Sequence, residues 1–147
     1  RQLLRVRRDE ARLMQLEQSG AASSRQAADL YELGSVQLRK RLFPQAAATL
    51  KQALKRLGGE PDEARALIEN ALGFSLAAQN DYETASKHYR LALKAKKDYP
   101  VALNNLAYAQ MKLLKTEEAI NLYQRTLAVD PNNETAKKGI KKLEKRR

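Results

Sequence analysis

The sequence predicts an all-α protein, an α-solenoid of three helix pairs with one further helix at each end. The composition is typical of helices, because Ala, Leu, Lys, Arg and Glu are abundant, aromatic residues make up 5% of the 147 residues, and Trp is absent. In addition, residues 66–99 align without a gap with residues 100–133, which gives a 34-residue period. A period between about 20 and 50 residues indicates a solenoid, whose units bury their apolar faces by stacking.

The copies of this unit share small and apolar residues at equivalent positions. The matched pairs are Asn70 with Asn104, Leu72 with Leu106, Gly73 with Ala107, Ala85 with Ala119, Tyr89 with Tyr123 and Leu93 with Leu127. A third copy at 27–60 has the same pattern, and five residues are inserted between it and the copy at 66–99. Its matching residues are Leu33, Gly34, Ala46, Leu50, Ala53 and Leu54. We therefore expect three repeats within residues 26–133.

Each repeat is predicted to fold as two antiparallel helices. The predicted pairs are 26–41 with 43–57, 61–79 with 82–96, and 99–113 with 116–128. Gly58-Gly59 is a typical helix end, and Pro61 suits the first turn of the next helix. Because the five inserted residues lie at this junction, the first helix of the second repeat should be about one turn longer than its counterparts.

Two further helices are predicted at the ends of the chain. Residues 1–18 form an amphipathic basic helix, residues 19–25 a linker, and residues 134–147 a C-terminal capping helix and basic tail with Ile140 and Leu143 inward. The apolar stripe of the first helix contains Leu3, Val6, Leu13 and Leu16. Two roles for this helix stay open: it packs on the first repeat, or it lies near a membrane surface and continues into an anchor.

The net charge of +11 is concentrated at the two ends of the chain. The N-terminal cations are Arg1, Arg5, Arg7, Arg8 and Arg12. The C-terminal cations are Lys137, Lys138, Lys141, Lys142, Lys145, Arg146 and Arg147. Once the neighbouring carboxylates are counted, the ends carry +3 and +6 and leave +2 for the body. The pattern indicates a nearly neutral solenoid with basic ends, not a uniformly basic nucleic-acid binder.

The sequence contains no recognisable catalytic constellation. It has no Cys and a single His, His88, which argues against disulfides and against imidazole or thiolate metal sites. Gly58-Gly59 lacks the Lys-Ser/Thr of a phosphate-binding loop, and the carboxylate pairs Asp62-Glu63 and Glu117-Glu118 lie in first helical turns, where they complement the helix dipole. We expect no enzyme activity, no cofactor and no metal. No apolar run approaches the roughly 18–20 residues of a membrane span.

The repeated unit resembles the tetratricopeptide repeat. That pattern has Leu and a small residue at unit positions 7 and 8, a small residue at 20, an aromatic at 24, a small residue and Leu at 27 and 28, and Pro at 32. The matching residues are Leu72, Gly73, Ala85, Tyr89, Ala92 and Leu93 in the second copy, and Leu106, Ala107, Ala119, Tyr123, Leu127 and Pro131 in the third. Thr126 and Lys97 depart from the pattern. The resemblance implies a right-handed superhelix with a concave groove that holds a peptide or a partner's helix.

The resemblance also implies which residues line the groove, since unit positions 2, 5, 9, 12 and 13 usually face it. The candidates are Tyr31, Asn70 and Asn104 at position 5, Ser35, Phe74 and Tyr108 at position 9, Arg39, Ala78 and Lys112 at position 13, and Lys138 on the last helix. The asparagines would clamp a peptide backbone, the aromatic residues would add apolar contact, and the cations would favour an acidic ligand. The alternative is a solvated groove without a ligand.

One known type of groove does not match. Repeats that hold the C-terminal carboxylate of chaperones use Lys and Asn at four places where this chain has Tyr31, Ser35, Ala71 and Val101. A clamp for chaperone tails is therefore not expected.

Two longer stretches are similar to one group within the tetratricopeptide family. The stretches are YELGSVQLRKRLFPQAAATLKQALK and ENALGFSLAAQNDYETASKHYRLALKAKKDYPVALNNLAYAQ. They resemble the small proteins of cyanobacteria and plastids that help assemble photosystem I. The resemblance covers residues 25–147 and implies a scaffold on the stromal or cytoplasmic face of the thylakoid, with a membrane anchor ahead of the repeats. Without it, we would expect a cytoplasmic protein. The chain begins at Arg1, not at Met, and so leaves a preceding anchor open.

Two functional hypotheses follow. The first is a non-enzymatic protein–protein interaction scaffold that binds a partner peptide or helix in its concave groove, as an assembly factor for a membrane complex such as photosystem I. The second is an accessory protein that binds nucleic acid or an anionic membrane through its basic ends. We favour the first, because the basic stretches contain no interleaved aromatic residues on which bases could stack.

Overall fold

The computed structural model describes residues 7–14, 27–58 and 62–147, and within these ranges every regular element is a helix. Residues 7–14 are helical, and the later helices are α1 (Ala27–Arg39), α2 (Phe43–Arg56), α3 (Asp62–Ala77), α4 (Tyr82–Ala95), α5 (Pro100–Lys112), α6 (Thr116–Val129) and α7 (Glu134–Glu144). The predicted all-α fold class is confirmed. The predictions for Arg1, Arg5, the linker at 19–25, Gly59 and Pro61 lie outside the described residues.

The helices are arranged as consecutive pairs that stack on one another. α1 packs on α2, α3 on α4, and α5 on α6, while α2 contacts α3, α4 contacts α5, and α6 contacts α7. The first helices of the pairs also contact one another in the order α1, α3, α5, α7. They therefore form one continuous layer, and the second helices form the other. α3 has 16 residues, against 13 in α1 and in α5, as the insertion before it predicts.

The turn inside each pair has the same backbone conformation. Its left-handed residue is the fifteenth of the unit in every repeat, namely Arg41, Asn80 and Leu114, with φ of 61°, 66° and 63°. The backbone N–H of the following residue then donates to a carbonyl five residues back, at 2.9–3.0 Å. This arrangement satisfies the open carbonyls at the end of the first helix and reverses the chain sharply. Each pair consequently forms a tight antiparallel hairpin.

Small residues allow the two helices of a pair to approach closely. A Cβ atom added to Gly73 would lie 2.6 Å from the Tyr89 ring and 3.2 Å from the Ala85 carbonyl oxygen, and one added to Gly34 would lie 2.8 Å from Leu50. Ala85 itself is fully buried. The core of the molecule therefore runs between the two layers, with Leu or Tyr of the second helix against the small residues of the first.

The N-terminal segment, residues 7–14, packs on α1. Leu13 contacts the buried pair Leu33 and Val36. The segment also forms three ion pairs with α1: Arg12 with Glu32, Asp9 with Arg39 at 3.2 Å, and Glu10 with Lys40 at 2.7 Å. Of the two roles left open for the first helix, these described residues support packing on the first repeat.

α7 closes the other end of the solenoid. It packs on α6 with Ala136 and Leu143 fully buried, and its Gly139 lies against the Tyr123 ring. α7 can be aligned with α5 by placing Glu134 on Pro100. Lys137 and Lys141 of α7 then correspond to the buried residues Leu103 and Ala107 of α5. Lysine at these two positions gives the exposed end of the stack a polar surface, as a capping helix requires. Among the described helices, none has both the length and the apolar character needed to cross a bilayer.

Candidate functional site

The layer of first helices exposes a set of large apolar side chains. Four of them, on α3 and α5, are 41–52% exposed, and they are Leu67, Phe74, Val101 and Tyr108. They occupy unit positions 2 and 9, which are two helical turns apart and lie on one side of the helix. We call this face, formed by the first helices α1, α3, α5 and α7, the concave groove.

A pocket opens in the groove between α3 and α5. Its volume is about 220 Å³, and its lining residues are Phe74, Ala77, Ala78, Asn80, Tyr82, Tyr89, Asn105 and Tyr108. The rings of Tyr82 and Tyr108 meet edge to face, with centroids 6.3 Å apart, and Lys112 Nζ lies 5.7 Å from the centroid of the Tyr82 ring. We call it the aromatic pocket, because four of its lining residues are aromatic.

The sequence creates this pocket by placing small residues among large ones. Ala77 and Ala78 end α3 without bulky side chains, which leaves a recess between Phe74 and Tyr108. Tyr89, whose ring packs beneath Gly73, forms part of the wall. Burial raises the pKa of the Tyr89 hydroxyl further above neutral pH, with a smaller effect from Tyr82.

The two asparagines predicted to clamp a peptide are bonded within the protein. Asn104 Nδ2 donates to Asn133 Oδ1 at 3.0 Å, and Asn104 Oδ1 accepts from Thr126 Oγ1 at 2.8 Å. Asn70 Oδ1 accepts from Asn105 Nδ2 at 3.0 Å. The bonds join α3 to α5, and α5 to both α6 and the residue that caps α7. These side chains therefore hold neighbouring helices in register, and their role as a clamp stays a prediction.

The other candidates lie nearer the ends of the groove. On α1, Tyr31 and Ser35 are half-buried, and Arg39 donates to Asp9 Oδ2 of the N-terminal segment, so its charge is balanced within the chain. Lys112 faces the Tyr82 ring of the aromatic pocket, and Lys138 is exposed on α7. The structure thus brings Phe74, Tyr108, Ala78 and Lys112 together around one pocket and leaves the α1 candidates apart from it.

Tyr82 and Asn105 of the aromatic pocket were not among the residues predicted from the sequence. Tyr82 is the first residue of α4, a second helix, and Asn105 is at unit position 6, while the family pattern assigns groove positions elsewhere on the first helices. One signal was available for Tyr82. An aromatic residue begins the second helix in two of the three copies, as Phe43 and Tyr82, and a cation contacts each ring, Arg41 at 5.4 Å for Phe43.

The basic residues at the ends are partly engaged in ion pairs. In the described part of the N-terminal end, Arg12 pairs with Glu32. At the C-terminal end, Arg147 binds both oxygens of Glu117 at 2.6 and 2.8 Å, and Lys137 lies 3.9 Å from Glu134. The hydrogen bond from Arg147 lowers the pKa of the Glu117 carboxyl. Exposed cations of this end that form no ion pair with a described residue are Lys138, Lys141, Lys142, Lys145 and Arg146.

The single histidine has a structural partner. His88 Nδ1 lies 2.8 Å from Oε1 of Glu69, a buried carboxylate on α3, so this pair links α3 to α4. In the part of the chain that the structure describes, no group of three or more His, Asp or Glu side chains is placed to hold a metal ion.

Comparison with known proteins places this architecture in a family. Sequence models described as tetratricopeptide repeat match residues 31–100 and 100–133. A chloroplastic tetratricopeptide repeat domain-containing protein of Arabidopsis thaliana, PYG7, is 31% identical over 93% of this chain, which spans 45% of that protein. The ycf37 protein of Cyanophora paradoxa is 38% identical over 79% of this chain and 67% of its own length.

Solved structures share the fold at low sequence identity. The first TPR of Spaghetti (RPAP3), bound to the HSP90 peptide SRMEEVD, has a TM-score of 0.76 at 21% identity and covers 84% of this chain and 94% of that one. The MamA RS-1 ArsTM double mutant has a TM-score of 0.83 at 17% identity, and the match covers 99% of this chain and 79% of the MamA chain. With both repeat matches and the Cyanophora relative, the chain belongs to the tetratricopeptide repeat family.

Proposed function

We propose that this protein is a non-enzymatic scaffold that binds a segment of a partner protein in its concave groove, with the aromatic pocket as the main contact. The single observation behind this is the clustering of Phe74 and Tyr108, each 47% exposed, on one face around a side-chain-sized recess. Contiguous exposed apolar surface of this kind marks interaction sites, and aromatic residues are enriched at their centres.

A partner segment suits this groove better than a small molecule. The pocket volume of about 220 Å³ exceeds that of engineered cavities of about 150 Å³ that hold benzene, and is smaller than the roughly 300–1,000 Å³ of small-molecule sites. It therefore fits one large side chain. The RPAP3 domain, which shares this fold, is bound to an HSP90 peptide, and this supports a peptide as the class of ligand.

We further propose that the partner belongs to a membrane complex of the thylakoid, with photosystem I as the complex whose assembly it serves. The support is the similarity of residues 25–147 to small assembly proteins of cyanobacteria and plastids, together with a chloroplastic relative and the ycf37 relatives. The protein would act on the stromal or cytoplasmic face, attached through a segment ahead of Arg1.

Affinity capture with paired variants tests both parts. Immobilised wild-type protein and the variant Phe74→Ala/Tyr108→Ala are incubated with detergent-solubilised thylakoid membranes, and bound proteins are quantified by mass spectrometry. The control is Leu91→Ala/Val129→Ala, which removes two apolar side chains of similar exposure, 43% and 45%, from the second helices. We expect the groove variant to bind its specific partner about thirtyfold more weakly or worse, since buried aromatic anchors contribute about 2 kcal/mol or more and about 1.4 kcal/mol is a tenfold change. The control should retain the partner.

Equal recovery with all three proteins would contradict binding in the groove. Thermal unfolding of each variant, followed by circular dichroism, shows that a loss of binding is not a loss of fold. If a partner is lost with the groove variant alone but contains no photosystem I subunit or assembly factor, the scaffold stands and the photosystem I assignment falls.

A further inference from the structure

α7 extends the concave groove with a row of cations. It continues the series of first helices, since it contacts α5 and packs on α6 as α5 packs on α4. Counted from Glu134, Lys138, Lys142 and Arg146 occupy unit positions 5, 9 and 13, the same positions as Asn104, Tyr108 and Lys112 on α5. Residues spaced by four lie on one helix face, so Lys138 and Lys142 share the groove face of α7. Arg146 follows in the turn after Glu144, the last residue of α7, and continues this row of cations at the end of the chain. We call this row the basic floor.

The basic floor is not balanced within the protein. All three of its side chains are exposed, and none forms an ion pair with a described residue. The charged residues that do pair on α7 and in the tail, Lys137 and Arg147, contact Glu134 and Glu117 instead. At the same groove positions, α3 and α5 carry Asn, aromatic, aliphatic and Lys side chains and no carboxylate. The C-terminal half of the groove is therefore cationic without a counter-charge.

The α1 end of the groove differs from the α7 end. There Arg39 pairs with Asp9, and Glu32 pairs with Arg12, so the groove-side charges are neutralised by the N-terminal segment. Along the layer from α1 to α7, the groove passes from paired charges, through the uncharged aromatic pocket, to free cations. A ligand that matches this surface must carry its negative charge on one side of an apolar anchor.

We propose that the groove binds an extended segment of a partner protein in which one large apolar side chain fills the aromatic pocket and a cluster of acidic residues on one side of it lies on the basic floor. This partner chemistry rests on the scaffold function proposed above. Lys112 of α5 adds one more cation beside the aromatic pocket, with its Nζ 5.7 Å from the centroid of the Tyr82 ring. Charge complementarity fixes the direction in which the segment runs, because the reversed segment would place its acids at the α1 end, where Arg39 and Arg12 are already paired with carboxylates.

The geometry also sets the spacing in the ligand. Neighbouring packed helices lie about 8–10 Å apart, and an extended chain rises about 3.3 Å per residue. The aromatic pocket lies between α3 and α5, and the basic floor lies on the next first helix. The distance from the pocket to the floor is therefore about one and a half helix spacings, and the acidic cluster should be centred about four residues from the apolar anchor.

Designed peptides test this arrangement directly. Each is fluorescently labelled, acetylated and amidated, so that no terminal carboxylate contributes, and has a neutral Ser/Thr host sequence. One carries Phe followed by an acidic cluster about four residues away, a second has the reverse order, a third has Gln for Glu, and a fourth has Ala for Phe. Affinities for the whole protein are measured by fluorescence anisotropy at low and at moderate salt.

Paired charge reversals identify the surface. The groove variant is Lys138→Glu/Lys142→Glu, and the matched control is Lys137→Glu/Lys141→Glu, with the same charge change on the outer flank of the same helix. We expect one order of the anchored acidic peptide to bind tightest, with an affinity that falls with salt. The groove variant should weaken its binding about tenfold, and the control less than about twofold, since the first reverses facing charges and the second acts only at a distance.

Three outcomes of the peptide measurements overturn the inference. The first is equal binding of the acidic and Gln peptides, the second is an equal effect of the two charge-reversed variants, and the third is no binding of any anchored peptide. If the Gln peptide binds equally well and Phe74→Ala/Tyr108→Ala abolishes that binding, the scaffold function stands and only the acidic preference falls. If Lys138→Glu/Lys142→Glu instead removes binding of random RNA or of phosphatidylglycerol vesicles and leaves the peptide affinity intact, the basic floor serves phosphate groups, which also overturns the inference.

Discussion

At the scale of single residues, Tyr89 and Tyr123 occupy the same unit position, but their rings pack against glycines on different helices. The Tyr89 ring lies against Gly73, which precedes it on the first helix of its own repeat. Tyr123 is preceded at the equivalent position by Ala107, but its ring lies against Gly139 of the following helix. Each buried tyrosine thus packs against one glycine. For Tyr89 this glycine comes earlier in the sequence, and for Tyr123 it comes later.

A methyl group at Gly73 should destabilise the fold. In Gly73→Ala the new Cβ would lie 2.6 Å from the Tyr89 ring, so the ring or the helix has to move. Overpacking of this kind costs about 1–3 kcal/mol, partly offset by the better helix propensity of Ala. Urea unfolding followed by circular dichroism measures the change in the free energy of unfolding. A stability equal to or above that of the wild type would contradict the packing argument.

A double-mutant cycle tests the compensation between the two sides of the ring. Asn105→Gly places a glycine on the helix after Tyr89, as Gly139 is placed after Tyr123. In the Asn105→Gly background, Gly73→Ala should lower the free energy of unfolding by less than it does in the wild type, because the Tyr89 ring gains room to shift. We expect a coupling free energy of about 1 kcal/mol. Strictly additive effects would show that the two positions do not share the ring.

At the scale of helices, most of the architecture could be predicted and part of the site could not. The 34-residue period and the glycine pair Gly58-Gly59 predict helices whose ends differ from the observed ones by no more than two residues, and the five-residue insertion predicts the longer α3. These features are local or periodic in the sequence. The ion pairs of residues 7–14 with α1 depend on contacts about thirty residues apart, which no period encodes.

Some residues of the groove could likewise be predicted from the sequence, and others could not. Phe74 and Tyr108 could be identified by their unit position alone, because that position recurs on successive first helices. Tyr82 and Asn105 come from other positions and join the pocket only when two repeats stack. The hydrogen bonds of Asn104 with Thr126 and Asn133 could not be predicted either, because helix periodicity does not identify a hydrogen-bond partner. Removing Asn104 will therefore disturb helix packing as well as any ligand contact.

The C-terminal tail should be held to α6 in a pH-dependent way. Arg147 lowers the pKa of Glu117 from the ordinary value of 4.5, chiefly through their hydrogen bond. Because the folded pKa is depressed, this contribution is fully present above about 4.5 and is lost as the pH falls through the lower folded pKa. An NMR titration of Glu117 should give a pKa below 4.5 in the wild type and one near 4.5 in Arg147→Gln. Identical titrations in the two proteins would refute the pairing.

At the scale of the whole molecule, the two ends of the solenoid are attached by different forces. Residues 7–14 contact α1 through Leu13 and three ion pairs, each of which has at least one exposed side chain. α7 is attached through the buried residues Ala136 and Leu143 and through the Asn133 hydrogen bonds. Exposed ion pairs contribute about 0.2–1 kcal/mol each and are screened by salt, whereas buried apolar contacts are not.

Salt should consequently loosen one end and leave the other intact. Raising the ionic strength from about 0.01 M to about 1 M shortens the Debye length from about 30 Å to about 3 Å, which weakens the three ion pairs. Hydrogen exchange measured by mass spectrometry should then show reduced protection of residues 7–14 and unchanged protection of α7. Asp9→Asn/Glu10→Gln should show at low salt the exchange that the wild type shows at high salt. A salt-independent N-terminal segment would count against attachment by charge.

The position of the two glycines also makes the repeats unequal as building blocks. If residues 66–99 were duplicated in place of 100–133, the inserted tyrosine would have the copy of Gly73 on one side and Gly139 on the other, and a void would remain. If residues 100–133 were instead duplicated in place of 66–99, the inserted tyrosine would have a copy of Ala107 on one side and Asn105 on the other. Its ring would then be too tightly packed. The order of the units is therefore encoded in the packing, and a lengthened or shuffled solenoid would have to transplant each tyrosine together with its glycine.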